Sequence, residues 1–366
     1  MICPLFNLIN KSNNSMTTGL RVLCIGDPHF KTSNVKECRE FCTAIYDLID
    51  KQNPDIIVVM GDTLDRHENI HVVPLTLSIN FILKIAEKRK TYLLIGNHDR
   101  PNNSDFLSHY HPFVGLIGNP NIVIVSEVIT DSVGKYKFLF VPYVYPGRFK
   151  EAIKTKLDNI SDIDCIFAHQ EFYGTEMGAV ISTVGDKWNL NDTYIISGHI
   201  HNYCKPQKNI LYIGTPMQHN FGDDENKTVS MFTFNVPYVI SGKIEYPIEN
   251  RIDLGLIKKV IFSIKCNELI TWIPPTNCLI KLYIEGTSNE IKALSKLDYL
   301  KKLVKSGIKV VYTITDADTE TINKRKSDVS NNELGLKYIN RLKKQIINNP
   351  GQYYWFNKLF STTSST

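Results

Sequence analysis

Five apolar runs in the first two hundred residues each stop at a short polar block carrying histidine, aspartate or both. The runs are Arg21 to Ile25, Asp55 to Met60, Tyr92 to Ile95, Cys165 to Ala168 and Tyr194 to Ser197. The blocks are Gly-Asp-Pro-His (Asp27, His29), Gly-Asp-Thr-Leu-Asp (Asp62), Gly-Asn-His-Asp (Asn97, His98), Ala-His-Gln (His169) and Gly-His-Ile-His (His199, His201). Short apolar runs of this kind read as strands. Between them lie helical patterns, Lys36 to Lys51 with Phe41, Ile45 and Leu48 on one face, and Pro74 to Lys88 with Leu77, Phe81, Ile82 and Ile85. Further strands are expected at Asn121 to Ser126, Lys135 to Val141, Leu211 to Ile213 and Thr228 to Phe234. Strand alternating with helix predicts a layered α/β domain, with the polar blocks on loops that a rigid scaffold displays.

Each block has its own chemistry. Asp27 and His29 stand two residues apart just past a strand, so in extended chain they point the same way. They offer one hard and one borderline ligand to a single ion. Gly61 permits a tight turn before Asp62, whose two carboxylate oxygens can bridge two ions. Asn97 also follows a glycine, and its amide oxygen binds a cation without adding charge. His98, next along the chain, points elsewhere and is free to handle protons. His169 ends the fourth run. His199 and His201, again two apart, can serve two ions. Five of the ten histidines fall within these blocks. Taken singly, each block could equally be loop polarity or a satisfied core histidine. Their order, each after a strand-like run, points instead to two divalent metal ions side by side, the usual device for hydrolysing a phosphate ester by in-line attack.

This ordered set resembles the calcineurin-like metallophosphoesterases over about residues 20 to 250. The stretch Ile-Leu-Tyr-Ile-Gly-Thr-Pro-Met-Gln-His-Asn-Phe-Gly-Asp-Asp (Ile210 to Asp224) is similar to the DNA double-strand-break-repair nuclease subunits of the SbcD type. The stretch His169-Gln-Glu-Phe-Tyr-Gly-Thr-Glu-Met-Gly looks most like the phage and large-virus branch of that family, as does the segment from Arg100 through His111-Pro-Phe. The resemblance implies two sheets sandwiched between helices. It implies one ion held by Asp27, His29, Asp62 and His201, and another held by Asp62, Asn97, His169 and His199. His98 stands where the family keeps its general acid. Asp65 departs from the pattern, since the cellular nuclease subunits usually carry histidine there; His67 is two positions late. Asp65, His67, Asp99 and Arg100 are the candidates for orienting the ligand set. Mixed histidine and carboxylate ligands favour Mn²⁺ over Mg²⁺, with Fe²⁺ and Zn²⁺ open.

Composition agrees with an enzyme without choosing one. The 366 residues suffice for two domains, and 43% hydrophobic with 22% charged residues is ordinary globular usage. A net charge of +5 is compatible with a phosphodiester substrate such as DNA. The eight cysteines show no paired spacing, although Cys38 and Cys42 lie one helical turn apart; buried reduced thiols in an intracellular protein are expected. No run is long enough for a membrane span. Residues 1–19 read as a flexible extension rather than a signal peptide, with residues 20–250 as the catalytic domain.

The pattern changes around Glu249 to Asp253. A strand at Cys278 to Ile284, a helix from Glu290 to Ser306 closed by Gly307, and a strand at Ile308 to Ile314 predict a small α/β domain over residues 251–318, which the resemblance implies is a capping domain. Residues 319–366 read as a polar linker and a basic amphipathic helix. The resemblance implies that this tail docks an SMC-like coiled-coil ATPase; the chain itself has no Walker motif. The expected function is a Mn²⁺-dependent DNA nuclease in repair or recombination, working with that ATPase and open to homodimer formation. The competing readings are a protein phosphatase, which Gly-Asp-x-x-Asp-Arg (Arg66) resembles but Asp99 and the Gly-Thr-Pro and Phe-Gly-Asp blocks disfavour, a small phosphodiesterase, and a non-catalytic scaffold.

Overall fold

The computed structural model describes residues 19–315, apart from residues 68, 179, 236–238, 241–242, 245 and 295. The expected N-terminal extension, save residue 19, and the partner-binding tail lie outside the described residues. The chain divides between Lys259 and Val260 into two compact units.

The first unit runs through β1 (Leu20–Ile25), α1 (Val35–Gln52), β2 (Ile56–Val59), α2 (Val72–Lys88), β3 (Lys90–Leu94), β4 (Ile122–Val125), β5 (Ile129–Val133), β6 (Tyr136–Val141), α3 (Phe149–Lys154) and β7 (Cys165–His169). It continues with the hairpin β8 (Glu176–Met177) and β9 (Val180–Ile181), then β10 (Ile195–Gly198), β11 (Cys204–Gln207), β12 (Ile210–Tyr212) and β13 (Val229–Phe234). A second hairpin, β14 (Val239–Ile240) and β15 (Lys243–Ile244), precedes β16 (Ile248–Ile252). Two six-stranded sheets result, ordered β16-β13-β1-β2-β3-β4 and β11-β12-β10-β7-β6-β5. In each, four neighbouring strands are parallel. Antiparallel strands complete the sheets, β13 and β16 in one, β11 and β5 in the other.

Strand alternation builds the layers. Val22 and Cys24 of β1 face a core shared with Phe138, Phe140 and Phe167 of the other sheet. Leu23 and Ile25, one residue out of phase, pack with Phe41 and Ile45 of α1 and Phe81 and Ile82 of α2. The outer face of the second sheet, including Leu139, Val141 and Ile166, packs with Phe149 and Ile153 of α3. Helix, sheet, sheet, helix is therefore the order of layers. Strands covered on both faces must be apolar throughout, which is why the runs are unbroken. Tyr92 fits between the sheets because its ring stacks on Phe140 at 4.1 Å while its hydroxyl donates to Asp131 at 2.7 Å. Parallel strands end at a common edge, so the segments after β1, β2, β3, β7 and β10 are brought together.

In the second unit β17 (Lys258–Lys265), which crosses the division, joins β18 (Cys278–Gly286) and β19 (Lys309–Ile314) in one sheet. β18 and β19 are parallel, as a β-α-β unit requires. The single helix expected from Glu290 to Ser306 is instead two, α4 (Ser288–Leu294) and α5 (Asp298–Lys305), separated by an extended Leu297. Leu294 and Leu303 are both buried in the same core. Nine residues apart, they would lie about 180° apart on one continuous helix. The break resets the phase so that both face the sheet. Among the described residues no helix is long and apolar enough to cross a membrane. The described cysteines are all free thiols, five of them buried.

Candidate metal centre

The strand ends deliver the polar blocks to one place. Asp27, His29 and His201 form one cluster, and Asp62, His169 and His199 a second; within each, one ligand atom per residue lies within 4.8 Å of the others. Asn97 joins the second cluster, its Oδ1 lying 3.0 Å from His169 Nε2 and 2.9 Å from His199 Nδ1. Asp62 reaches both clusters. Its Oδ1 is 3.4 Å from His169 Nε2 and its Oδ2 is 3.8 Å from His29 Nε2. Asp27, His29, Asp62, Asn97 and His169 are buried.

The backbone here is not relaxed. His29 and Asp62 have φ of 46° and His199 of 81°, the left-handed region that side chains with a Cβ seldom adopt. Such conformations persist where surrounding structure fixes them, commonly at functional sites. The preceding glycines make room. A Cβ on Gly61 would lie 2.4 Å from His169 Nδ1, and one on Gly198 would lie 2.6 Å from Asp27 Oδ1.

The donor set is short of positive charge. Among the described residues, no lysine or arginine forms an ion pair with Asp27 or Asp62. Buried charges ordinarily are paired or bind metals. Asp27 Oδ2 accepts the His199 N–H at 2.9 Å, but its buried Oδ1 accepts no hydrogen bond. His29 Nε2 and His201 Nε2 face each other at 3.0 Å. Two ring nitrogens facing each other across a buried space would suit a shared cation. The Met60 carbonyl, 2.7 Å from His169 Nδ1, accepts its proton, which turns the Nε2 lone pair toward Asn97 and Asp62. The residues fit a pair of cations.

Protonation follows the same logic. Burial pulls His29, His199 and His201 down, His199 to about 3, leaving them in the neutral form that binds metal. His169 differs. Burial opposes its charge, but Asp62 and Asp27 outweigh that and raise it to about 9. Burial also opposes the Asp62 charge, yet His169 and its neighbours hold this carboxyl well below its usual range. In the metal-free centre a proton on His169 therefore supplies positive charge. Below about pH 9 a metal must displace that proton, so apparent Mn²⁺ affinity should rise with pH, by up to about tenfold per unit from pH 6 to 8. Metal titrations at fixed ionic strength check this; a flat profile would contradict it.

His98 stands beside the clusters and belongs to neither. Its ring is about one-third exposed, and its Nε2 lies 4.0 Å from Asp62 Oδ2. Its backbone N–H donates to Asp62 Oδ1 at 2.8 Å. The His67 ring stacks on it at 4.9 Å and 13°. Asp99 accepts from the N–H groups of Leu64, Thr63 and Gly96 at 2.9, 3.1 and 3.2 Å, tying together the loops that carry Asp62 and Asn97. Arg100 donates to the Tyr143 carbonyl at 2.6 Å and does not enter the ligand set. Asp65 lies 3.7 Å from His29 Nδ1 and accepts from Lys31 Nζ at 3.0 Å. Asp65 is thus held in an ion pair with Lys31 beside the first cluster.

Three neighbours were not singled out from the sequence. Buried His219 donates from Nε2 to the Asp27 carbonyl at 3.0 Å, and its ring meets His29 at 4.8 Å. The Tyr143 ring lies 5.7 Å from that of His199. Lys227 Nζ donates to the His201 carbonyl at 2.8 Å. His219 falls within the block Ile210 to Asp224, but no strand leads directly into it, so position gave no hint of its role.

Residues 20–242 match the family described as calcineurin-like phosphoesterase. Protein 078R of Invertebrate iridescent virus 3, named as a phosphoesterase, is 38% identical over 80% of this chain and 84% of its own. Protein 244L of Invertebrate iridescent virus 6, named likewise, is 39% identical over 75% of this chain and 97% of its own. Among solved structures, GAP50 of Plasmodium is similar over 66% of this chain and 90% of its own, at 14% identity and a TM-score of 0.38, and bears no weight here.

Proposed function

Since the chain belongs to the calcineurin-like phosphoesterases, a family of metal-dependent hydrolases, we propose that it is a Mn²⁺-dependent nuclease cleaving DNA phosphodiesters at a two-metal centre. The observation that carries this reading is the convergence of seven donors into two clusters sharing Asp62, with an uncommitted histidine beside them. Asp27, His29, Asp62 and His201 would hold one ion; Asp62, Asn97, His169 and His199 would hold the other. Two ions bound there offset the charge that builds on the attacked phosphate.

The chain's own groups do the rest. Asp62 Oδ1 fixes the backbone of His98 at the rim, and stacking on His67 limits how the imidazole can turn. From that position His98 steadies the phosphate and gives a proton to the leaving oxygen. Support for DNA as substrate comes from the block similar to break-repair nuclease subunits. It folds beneath the ligands, with Thr215 donating to the His201 carbonyl at 3.1 Å and His219 holding Asp27. The free, mostly buried thiols suit action inside the cell, and by the same resemblance the tail beyond residue 318 docks an SMC-like ATPase.

Incubation with linear and hairpin DNA, with and without Mn²⁺, tests this beside a chromogenic phosphodiester and a phosphomonoester. Mn²⁺-dependent DNA fragments are expected. Hydrolysis of the monoester alone would overturn the nuclease reading in favour of a phosphatase.

A further inference from the structure

Two open hollows beside the metal centre meet at His67 and Pro101. The first, of about 540 Å³, has His98 in its wall. The second, of about 650 Å³, continues past Ile70, Tyr110, Pro112 and Val114. A path therefore leads from the proton-handling histidine into an aromatic and apolar surface. That surface is open to water, with Tyr110 77% and Val114 58% exposed. Exposed apolar surface next to a reactive centre calls for an occupant.

The lining narrows what the occupant is. The ring of Tyr110 and the faces of two prolines suit a flat π system. His67 Nδ1 lies 3.2 Å from the Arg100 carbonyl. The carbonyl accepts the Nδ1 proton, so Nε2 is the ring nitrogen left to meet a ligand. A flat heterocycle with edge N–H groups matches this mixture. The side chain of a phosphoserine would leave the hollow unfilled. We propose that the second hollow receives a nucleobase of the strand whose phosphate lies at the metal centre, an inference that rests on the phosphodiesterase reading above.

Calorimetric titration of the Mn²⁺-loaded protein with dAMP and with deoxyribose 5-phosphate tests it apart from turnover. dAMP is expected to bind about tenfold tighter, the order of one base–aromatic stack. Tyr110→Ala is expected to erase most of that difference, and so exposed a side chain can be removed without unfolding the protein. Equal affinities in the unaltered protein would overturn the pocket even if DNA is cleaved, as would a preference for dAMP that Tyr110→Ala leaves unchanged. A dimer in sedimentation that Tyr110→Ala converts to monomer would assign the surface to a second copy and also overturn it. If DNA is not cleaved yet dAMP outbinds deoxyribose 5-phosphate through Tyr110, the nuclease reading fails. The base pocket then stands, serving a smaller nucleotide ester.

Discussion

Asp62→Asn is expected to remove at least one metal ion and to lower phosphodiester hydrolysis by roughly a thousandfold or more, with the fold retained. The two oxygens of Asp62 approach one ligand nitrogen in each cluster, 3.4 Å from His169 Nε2 and 3.8 Å from His29 Nε2. Asparagine keeps an oxygen able to accept the His98 N–H, so the local backbone has no reason to move. What disappears is the negative charge shared by two cations. Lewis-acid stabilisation is worth several kcal/mol, and each 1.36 kcal/mol is about tenfold in rate. Elemental analysis of the purified variant, with its circular dichroism and rate, decides the matter. Unchanged stoichiometry and rate would sink the two-metal assignment.

His98→Asn should behave differently. His98 lies outside both clusters, so both metals should remain, while the rate should fall roughly 10²- to 10⁴-fold. The deficit should also depend on the leaving group. A nitrophenolate departs without a proton and should lose less rate than the sugar hydroxyl of DNA. Equal losses for the two substrates would make His98 a positioning residue, and loss of metal would make it a ligand.

The placing of the candidate ligands at strand ends was legible in the sequence, for a physical reason. Metal ligands need particular atoms, and histidine, asparagine and aspartate recurring in order after strand-like runs offer those atoms in a pattern that local sequence can show. The strands before them were legible because both faces are covered, which forces runs such as Ile-Ile-Val-Val (Ile56–Val59). β5 and β11 lie at sheet edges, where one-sided burial lets Ile-Thr-Asp-Ser-Val and Cys-Lys-Pro-Gln serve as strands. Such segments carry little periodic signal. The division of α4 from α5 was hidden because leucines every three residues mimic one helix over short windows and drift off its face over longer ones. His219 was hidden because its role lies in a hydrogen bond to a carbonyl 192 positions away, which no local pattern reports.

The ligand candidates are divided between the sheets in a way that bears on mechanical integrity. Asp27, His29, Asp62 and Asn97 follow strands of the first sheet, whereas His169, His199 and His201 end or follow strands of the second. Each cluster takes members from both. Bound cations would therefore rivet one sheet to the other at the rim where the parallel strands stop, beyond the last layer of the aromatic core. The catalytic cofactor and the fastening of the sandwich would then be the same object. Chelation would cost resistance to heat as well as turnover, because ions that bind only the folded chain stabilise it by mass action.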